Sequence, residues 1–323
     1  MAKMTTSVRP KIGLALGGGV ARGWAHLGVV RALERYGFAP DVIAGTSIGA
    51  LVGGSYLAGH IDTLEDWARG LNKVRLISYL DFRMRSGGMI GGRALTEAME
   101  KHMGGLTIEG LPCPFTAIAT DLLTGHEVWL REGNLVEAIR TSFSLPGIFE
   151  PMHVDGRWLV DGALVNPVPI SVCRAMGAQL TIGVNLNADA IGKARRPGTD
   201  FQIAAGFDLL DELETNAPAA AGSRLSGFAR RIFKRQTTKP SVFGVLVSTM
   251  NIALDRITRS RLAGEPPDVH ITPRLGHLGL LEFDRAEEMI VEGEASVERA
   301  LPDLRTAMTL FSREMTVHNG NGK

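Results

Sequence analysis

Two kinds of hydrophobic pattern alternate along this chain. Short apolar runs stand at 12–16, 41–44, 115–120, 126–130, 157–160, 180–185 and 269–272. Between several of them apolar residues recur at helical spacing, as Trp24, Leu27, Val30 and Leu33 do within 20–36. The runs predict strands. The periodic stretches predict helices at 20–36, 51–60, 135–141, 242–262 and from 284 to about 301. Strand, glycine loop, helix, strand, sharp turn, helix is the order at the N-terminal end. That alternation predicts an α/β fold with a mostly parallel sheet flanked by helices. Asp121 to Gly125 reads as a turn between two strands, and Asp155-Gly156 as a hairpin turn.

The stretch 189–240 breaks the rhythm, being mixed in composition and dotted with Gly, Pro and Ala, and reads as an insertion or lid. The expected organisation is one domain over 12–311, with tails at 1–11 and 312–323. Within the insertion, 222–239 carries six basic residues and no acidic one. On a helical projection Leu225, Phe228, Ala229 and Ile232 share one side; Arg224, Arg230, Arg231, Lys234 and Arg235 gather on the other. Such a helix suits peripheral contact with an anionic bilayer, or docking on the core with its cationic face in water.

Composition narrows the picture further. The chain has 323 residues, 45% hydrophobic and 21% charged, with a formal net charge of +1. No global field points to nucleic acid as a partner. Cys113 and Cys173 are too few for a disulfide framework and read as free thiols in a reducing compartment. Residues 1–11 lack an apolar signal core, and the uncharged run 42–58 is glycine-rich and short for a membrane span. A cytoplasmic location follows as the expectation, with membrane association if 222–239 engages lipid.

Candidate chemistry begins at Gly45-Thr46-Ser47-Ile48-Gly49, a G-x-S-x-G pentapeptide between a strand and a helix. A nucleophile elbow puts its serine on a strained turn, needs glycines where backbones approach closely, and ends at a helix N-terminus that favours negative charge. A helix-capping serine after a glycine turn is the plainer alternative. Gly17-Gly18-Gly19, also between strand and helix, can aim several N–H groups at one point, an anion-binding nest. Its spacing fits a dinucleotide fingerprint poorly, because Arg22 stands where the third glycine belongs. Arg22 is either a candidate anion contact or a solvated charge. A serine nucleophile needs a proton acceptor. His26 falls within the first helix and reads as structural or surface; His270 and His277 lie late enough for a Ser…Asp…His order. Asp161 follows a strand and precedes Asn166-Pro167-Val168-Pro169; its own surroundings also suit a turn aspartate.

Five ordered blocks give the chain a recognisable likeness: Gly17-Gly-Gly-Val-Ala-Arg-Gly23, Gly45-Thr-Ser-Ile-Gly49, Ala119-Thr-Asp-Leu-Leu-Thr-Gly125, Ser144-Leu-Pro-Gly147 and Val160-Asp-Gly-Ala-Leu-Val-Asn-Pro-Val-Pro169. Together they resemble the patatin-like phospholipases, in particular the bacterial branch related to neuropathy-target-esterase domains. The resemblance implies a three-layer α/β/α fold and a lipid acyl hydrolase without metal or organic cofactor. It implies Ser47 as nucleophile, Asp161 as its base in a Ser–Asp dyad, and the N–H groups of Gly17, Gly18 and Gly19 as oxyanion donors. One departure stands out: the family's aspartate motif is often Asp-Gly-Gly, whereas here the third residue is Ala163. If that position needs positive φ, alanine incurs strain.

Three rival functions accompany this expectation. A Ser–His–Asp esterase would use His270 or His277. A nucleotide-binding oxidoreductase would use the glycine loop, and a catalytically silent regulatory protein would keep the fold alone.

Overall fold

A computed structural model describes residues 9–71, 93–189 and 242–318. The expectations for 190–240, the basic segment 222–239 among them, lie outside the described residues.

The N-terminal strands form because their apolar runs are buried on both faces, as parallel strands between helix layers require. β1 (Ile12–Leu16), β2 (Val42–Thr46) and β7 (Leu180–Val184) are parallel neighbours, and β8 (Val269–Ile271) extends the sheet beyond β7. β3 (Phe115–Asp121) lies parallel to β2 on the other side. The antiparallel strands β4 (Glu127–Leu130) and β6 (Arg157–Asp161) both pair with β3, and β5 (Met152–Val154) closes that end against β6. The sheet order is β5-β6-β3-β2-β1-β7-β8, with β4 off the path on β3. Asp155 (φ 47°) and Gly156 (φ 74°) make the β5–β6 hairpin turn, both in the left-handed region.

Side chains alternate between two packed layers. Ile12, Leu14, Leu16 and Ile43 face a large core shared with α1 (Ala25–Arg35), α2 (Ile48–Leu57), α5 (Leu135–Ser142) and α8 (Ala286–His318). Ala15, Val42 and Ala44 face a smaller core under α6 (Ile170–Ala175), where Leu262 from α7 (Val242–Gly264) also packs. Two further helices, α3 (Ile61–Arg69) and α4 (Arg93–Met103), complete the described set. This is the three-layer α/β/α arrangement expected.

Three segments differ from the expectation. The helix expected over 20–36 is divided into a 3₁₀ turn at Val20–Trp24 and α1, because the chain enters through Val20 at φ 53° and must settle Arg22 in the interior. α2 starts at Ile48, directly after the candidate nucleophile. The last helix does not end near Leu301; it runs through Pro302 to His318. Pro302 removes one backbone donor, while Leu304 and Ala307 beyond it are buried and hold the helix on the core. Cys113 is half-buried and Cys173 buried, both free.

α1 and α8 cross at Gly28 and Gly293. A Cβ on Gly28 would lie 2.0 Å from the carbonyl oxygen of Ile290, and one on Gly293 2.0 Å from that of Ala25. Backbone cannot yield as a side chain does. Gly28→Val is therefore expected to lower stability by about 3 kcal/mol, at the upper end of overpacking costs, with α8 losing its seat. Urea unfolding of the variant against wild type measures it, and an unchanged midpoint contradicts the crossing.

Candidate active site

The site forms where β2 ends. Ser47 follows Thr46 at φ 57° and ψ −124°, a conformation that costs a non-glycine residue on the order of 1–3 kcal/mol. The turn is possible because its neighbours lack side chains. A Cβ on Gly45 would stand 2.6 Å from the Ala50 nitrogen, and one on Gly49 2.1 Å from the Leu16 oxygen. Both glycines are needed for close approach, and neither has a positive φ. Ser47 then occupies the N-terminus of α2.

Asp161 arrives from the opposite direction. β3 pairs with β2 up to Thr46↔Ile118; from Ala119↔Asp161 onward the same edge pairs with β6. β4 occupies the other edge across the switch, from Ala117 to Thr120. The ends of β2 and β6 thus meet head to head on β3. The Ser47 hydroxyl donates to Asp161 Oδ2 at 2.6 Å, while Asp161 Oδ1 accepts from the Ala163 N–H at 2.8 Å. The sequence left open whether Asp161 is a turn aspartate or a partner for serine; its two oxygens do both. Its N–H donates to the Ser144 carbonyl and its own carbonyl accepts from the Thr120 hydroxyl. Ala163 is not among the residues with positive φ, so the missing glycine carries no strain there.

Asp161 is 1% exposed. Burial pushes its carboxyl up to about 6, against the opposing pull of the Ser47 and Ala163 donors. It is the only ionisable side chain lining the cleft among the described residues. The cleft, about 670 Å³ when its space open to solvent is counted, is otherwise mostly apolar. Leu246, Met250 and Leu254 enter it from α7 at four-residue spacing, with Leu145, Pro146 and Ile148 from the loop after α5 and Leu280 and Leu281 from the segment before α8. Asn187 and Asn251 supply further polar atoms.

The glycine loop behaves differently from the expectation of three donors. The Gly17 N–H donates to the Val184 carbonyl at 3.1 Å and that of Gly18 to the Pro167 carbonyl at 3.0 Å. Both are committed to the fold and unavailable to a ligand. The Gly19 N–H has no partner among the described residues, and Gly18, Gly19 and the strained Val20 line the cleft with Ser47. Arg22 is neither a solvated charge nor an anion contact. It is buried, donates to the Leu278 carbonyl at 2.7 and 3.1 Å and to Asn187 Oδ1 at 3.1 Å, and stays outside the cleft lining. Asn187 in turn donates to the Gly18 carbonyl at 3.2 Å, so the arginine braces the loop from behind.

The histidines stand apart. His26, wholly buried, donates through Nε2 to the Gly17 carbonyl at 2.7 Å, with its pKa lowered to about 4 by burial. His270 lies on β8, three strands from β2, roughly 14 Å by strand spacing. His277 pairs with Glu288 at 2.6 Å. None lines the cleft. Ser142 is the residue that sequence reasoning passed over: its hydroxyl accepts from the Ser47 N–H and donates to the Ile118 carbonyl. A serine near the end of an ordinary amphipathic helix gives no local signal of such a contact.

A family model described as patatin-like phospholipase matches residues 14–174. A Mycobacterium tuberculosis protein described as an uncharacterized NTE family protein is 36% identical over 332 aligned positions, covering 91% of this chain and 92% of its own length. Patatin-like phospholipase domain-containing protein 6 of Mus musculus is 32% identical over 184, covering 55% of this chain and 14% of that protein. Among solved structures, VipD from Legionella pneumophila superposes with a TM-score of 0.46 at 13% identity, covering 93% of this chain and 67% of that one.

A stability prediction follows from Asp161. Its folded pKa of about 6 stands above the ordinary 3.8, so the folded state carries no penalty below pH 3.8 and the full penalty once pH rises past 6. Asp161→Asn, whose Oδ1 can still accept from the Ala163 N–H while its Nδ2 donates to Ser47 Oγ, is expected to raise stability at pH 8 by up to about 3 kcal/mol. The gain should shrink as pH falls from 6 toward 4. Urea titrations at pH 8 and pH 4.5 measure it; an equal effect at both would contradict a desolvated carboxylate.

Proposed function

Because the chain belongs to the patatin-like phospholipase family, among its NTE relatives, we propose that it is a lipid acyl hydrolase in which Ser47 attacks an ester carbonyl and Asp161 takes the serine proton. The observation that carries this reading is the 2.6 Å hydrogen bond from the Ser47 hydroxyl to a buried carboxylate inside an apolar cleft.

The chemistry runs in two balanced halves. As Ser47 Oγ bonds to the carbonyl carbon, its proton passes to Asp161 Oδ2 and the carbonyl oxygen becomes an oxyanion. The oxyanion faces the free Gly19 N–H and the N-terminus of α2, where unpaired donors and the helix dipole favour negative charge. Collapse of this intermediate breaks the ester C–O bond, and Asp161 returns the proton to the leaving alcohol. Water then attacks the acyl-serine, Asp161 accepts its proton, and the fatty acid departs as Ser47 regains its hydrogen. A carboxylate raised by burial is a stronger base than one in water and remains ionised above pH 6. The constellation supports a dyad over a triad, because His26 is held by Gly17 and His270 and His277 lie elsewhere. The dinucleotide reading loses its basis, since the Gly17 and Gly18 donors are committed.

Fluorophosphonate labelling tests the nucleophile. Wild type should label at Ser47, and Ser47→Ala should not, with kcat on p-nitrophenyl esters falling on the order of 10⁴-fold or more. Asp161→Asn should be similarly impaired while folded, and His270→Ala and His277→Ala should retain activity. The acid limb of kcat/KM should have its midpoint near 6, with activity rising as Asp161 ionises. Labelling that persists in Ser47→Ala defeats the assignment.

The apolar walls fit an acyl chain. Leu246 of α7 sits close to the Gly147 turn, within 3.0 Å of where a Cβ on Gly147 would stand, so the two walls enclose a channel beside Ser47. Met250→Trp is expected to shift preference toward shorter acyl chains by about tenfold in relative kcat/KM, each lost methylene contact being worth about 1 kcal/mol. A series of p-nitrophenyl esters of increasing length reads this directly; an unaltered profile would remove α7 from the acyl site.

A further inference from the structure

The partner switch on β3 leaves a gap. Beyond Thr46↔Ile118 the β2 chain turns away at Ser47, and β6 begins only at Ala119↔Asp161. The Ser47 N–H and the Ile118 carbonyl face this break, buried, without the strand partner that would satisfy them. The Ser142 hydroxyl fills it, accepting from Ser47 N at 2.9 Å and donating to Ile118 O at 2.6 Å. Having one proton, the hydroxyl can serve both groups in only this sense. Ser142 is wholly buried, and the Ile118 carbonyl packs against Gly162, the residue after Asp161, where a Cβ would stand only 2.3 Å away. The same hydroxyl therefore holds the backbone of the nucleophile and binds the Ile118 carbonyl, which in turn packs against the chain that carries its base.

We infer that Ser142 is a positioning residue for hydrolysis: its hydroxyl fixes the strained Ser47 backbone so that Oγ stays within hydrogen-bond reach of Asp161. This rests on the reading of Ser47 as nucleophile. Without the hydroxyl the Ser47 peptide is free to rotate toward a relaxed conformation, carrying Oγ away from the carboxylate. A displacement near 1 Å is enough to cost up to about a hundredfold in rate. Substrate binding depends on the apolar walls, which Ser142 does not line.

The experiment compares Ser142→Ala and Ser142→Thr with wild type, each checked for native content by circular dichroism and melting temperature. Ser142→Ala should lose between about tenfold and a hundredfold in kcat on a p-nitrophenyl ester, with KM within about twofold. Its rate of fluorophosphonate labelling should fall in parallel. Because the Ser47 hydrogen bond holds the Asp161 pKa down against burial, weakening that bond should move the acid limb of kcat/KM to higher pH. Ser142→Thr, which keeps the hydroxyl, should recover most of the rate; if the added methyl prevents folding, the pH limb of Ser142→Ala decides alone. A folded Ser142→Ala with wild-type kcat overturns the inference. So does a loss of rate that only tracks the loss of folded protein, with the pH limb unmoved. Wild type that is folded yet never labels removes the nucleophile reading and this inference with it, whereas full labelling of both wild type and Ser142→Ala removes the inference alone.

Discussion

One edge of one strand governs this molecule. β3 pairs in parallel with β2 as far as Ile118 and antiparallel with β6 from Ala119 onward, so two strands end against each other on a shared template. Hydrogen-bond register between strands is fixed by their alternating faces, and the meeting point is therefore held to within a residue. Residues 114 positions apart are brought into a 2.6 Å hydrogen bond without either depending on a mobile loop. Displacing β6 by one residue would turn Asp161 to the other face of the sheet and leave Ser47 without a partner.

That junction concentrates two unfavourable features, a serine in a strained conformation and a carboxylate withdrawn from water. The surrounding structure over-determines both. Asp161 is held through its N–H by Ser144, through its carbonyl by Thr120 and through Oδ1 by Ala163. Thr46, just before Ser47, donates to the Asn166 carbonyl. The glycine loop on the opposite wall is braced by His26 on Gly17 and by Asn187, itself held by Arg22, on Gly18. Strain at a site survives only where neighbouring contacts leave the chain no alternative. Here those contacts are buried and come from separate elements. The neutral state of His26 at ordinary pH belongs to the same arrangement: its support is present above 6.5 and is lost as pH falls through about 4.

Membership of the patatin-like family and the geometry of this cleft both support the proposed ester hydrolysis, but they constrain different things. Relatedness speaks for the fold and the broad chemistry. Among the described residues the cleft adds the particulars: one ionisable group, apolar walls from α7 and two loops, and a reduced set of free donors opposite Ser47. The Gly17 and Gly18 N–H groups are taken by Val184 and Pro167, which is why the proposed oxyanion contact is assigned to Gly19 and the α2 terminus.

What the sequence determined by itself was whatever depends on neighbours along the chain. Apolar runs between breakers located β1, β2, β3, β6 and β7, since strand formation and burial leave a local period. The elbow was legible because a tight approach admits only glycine at positions 45 and 49, and the hairpin at Asp155-Gly156 because its φ values favour those residue types. The role of Asp161 was not, since its local setting describes a turn equally well. Arg22 looked like a surface or ligand-binding charge, and only the folded chain supplies the Leu278 and Asn187 acceptors that let it be buried. The fate of the Gly17 and Gly18 donors and the bridge at Ser142 were likewise decided by the tertiary structure. Each hydrogen bond joins groups far apart in sequence, and which donor meets which acceptor is set by strand order and register, which no local pattern records.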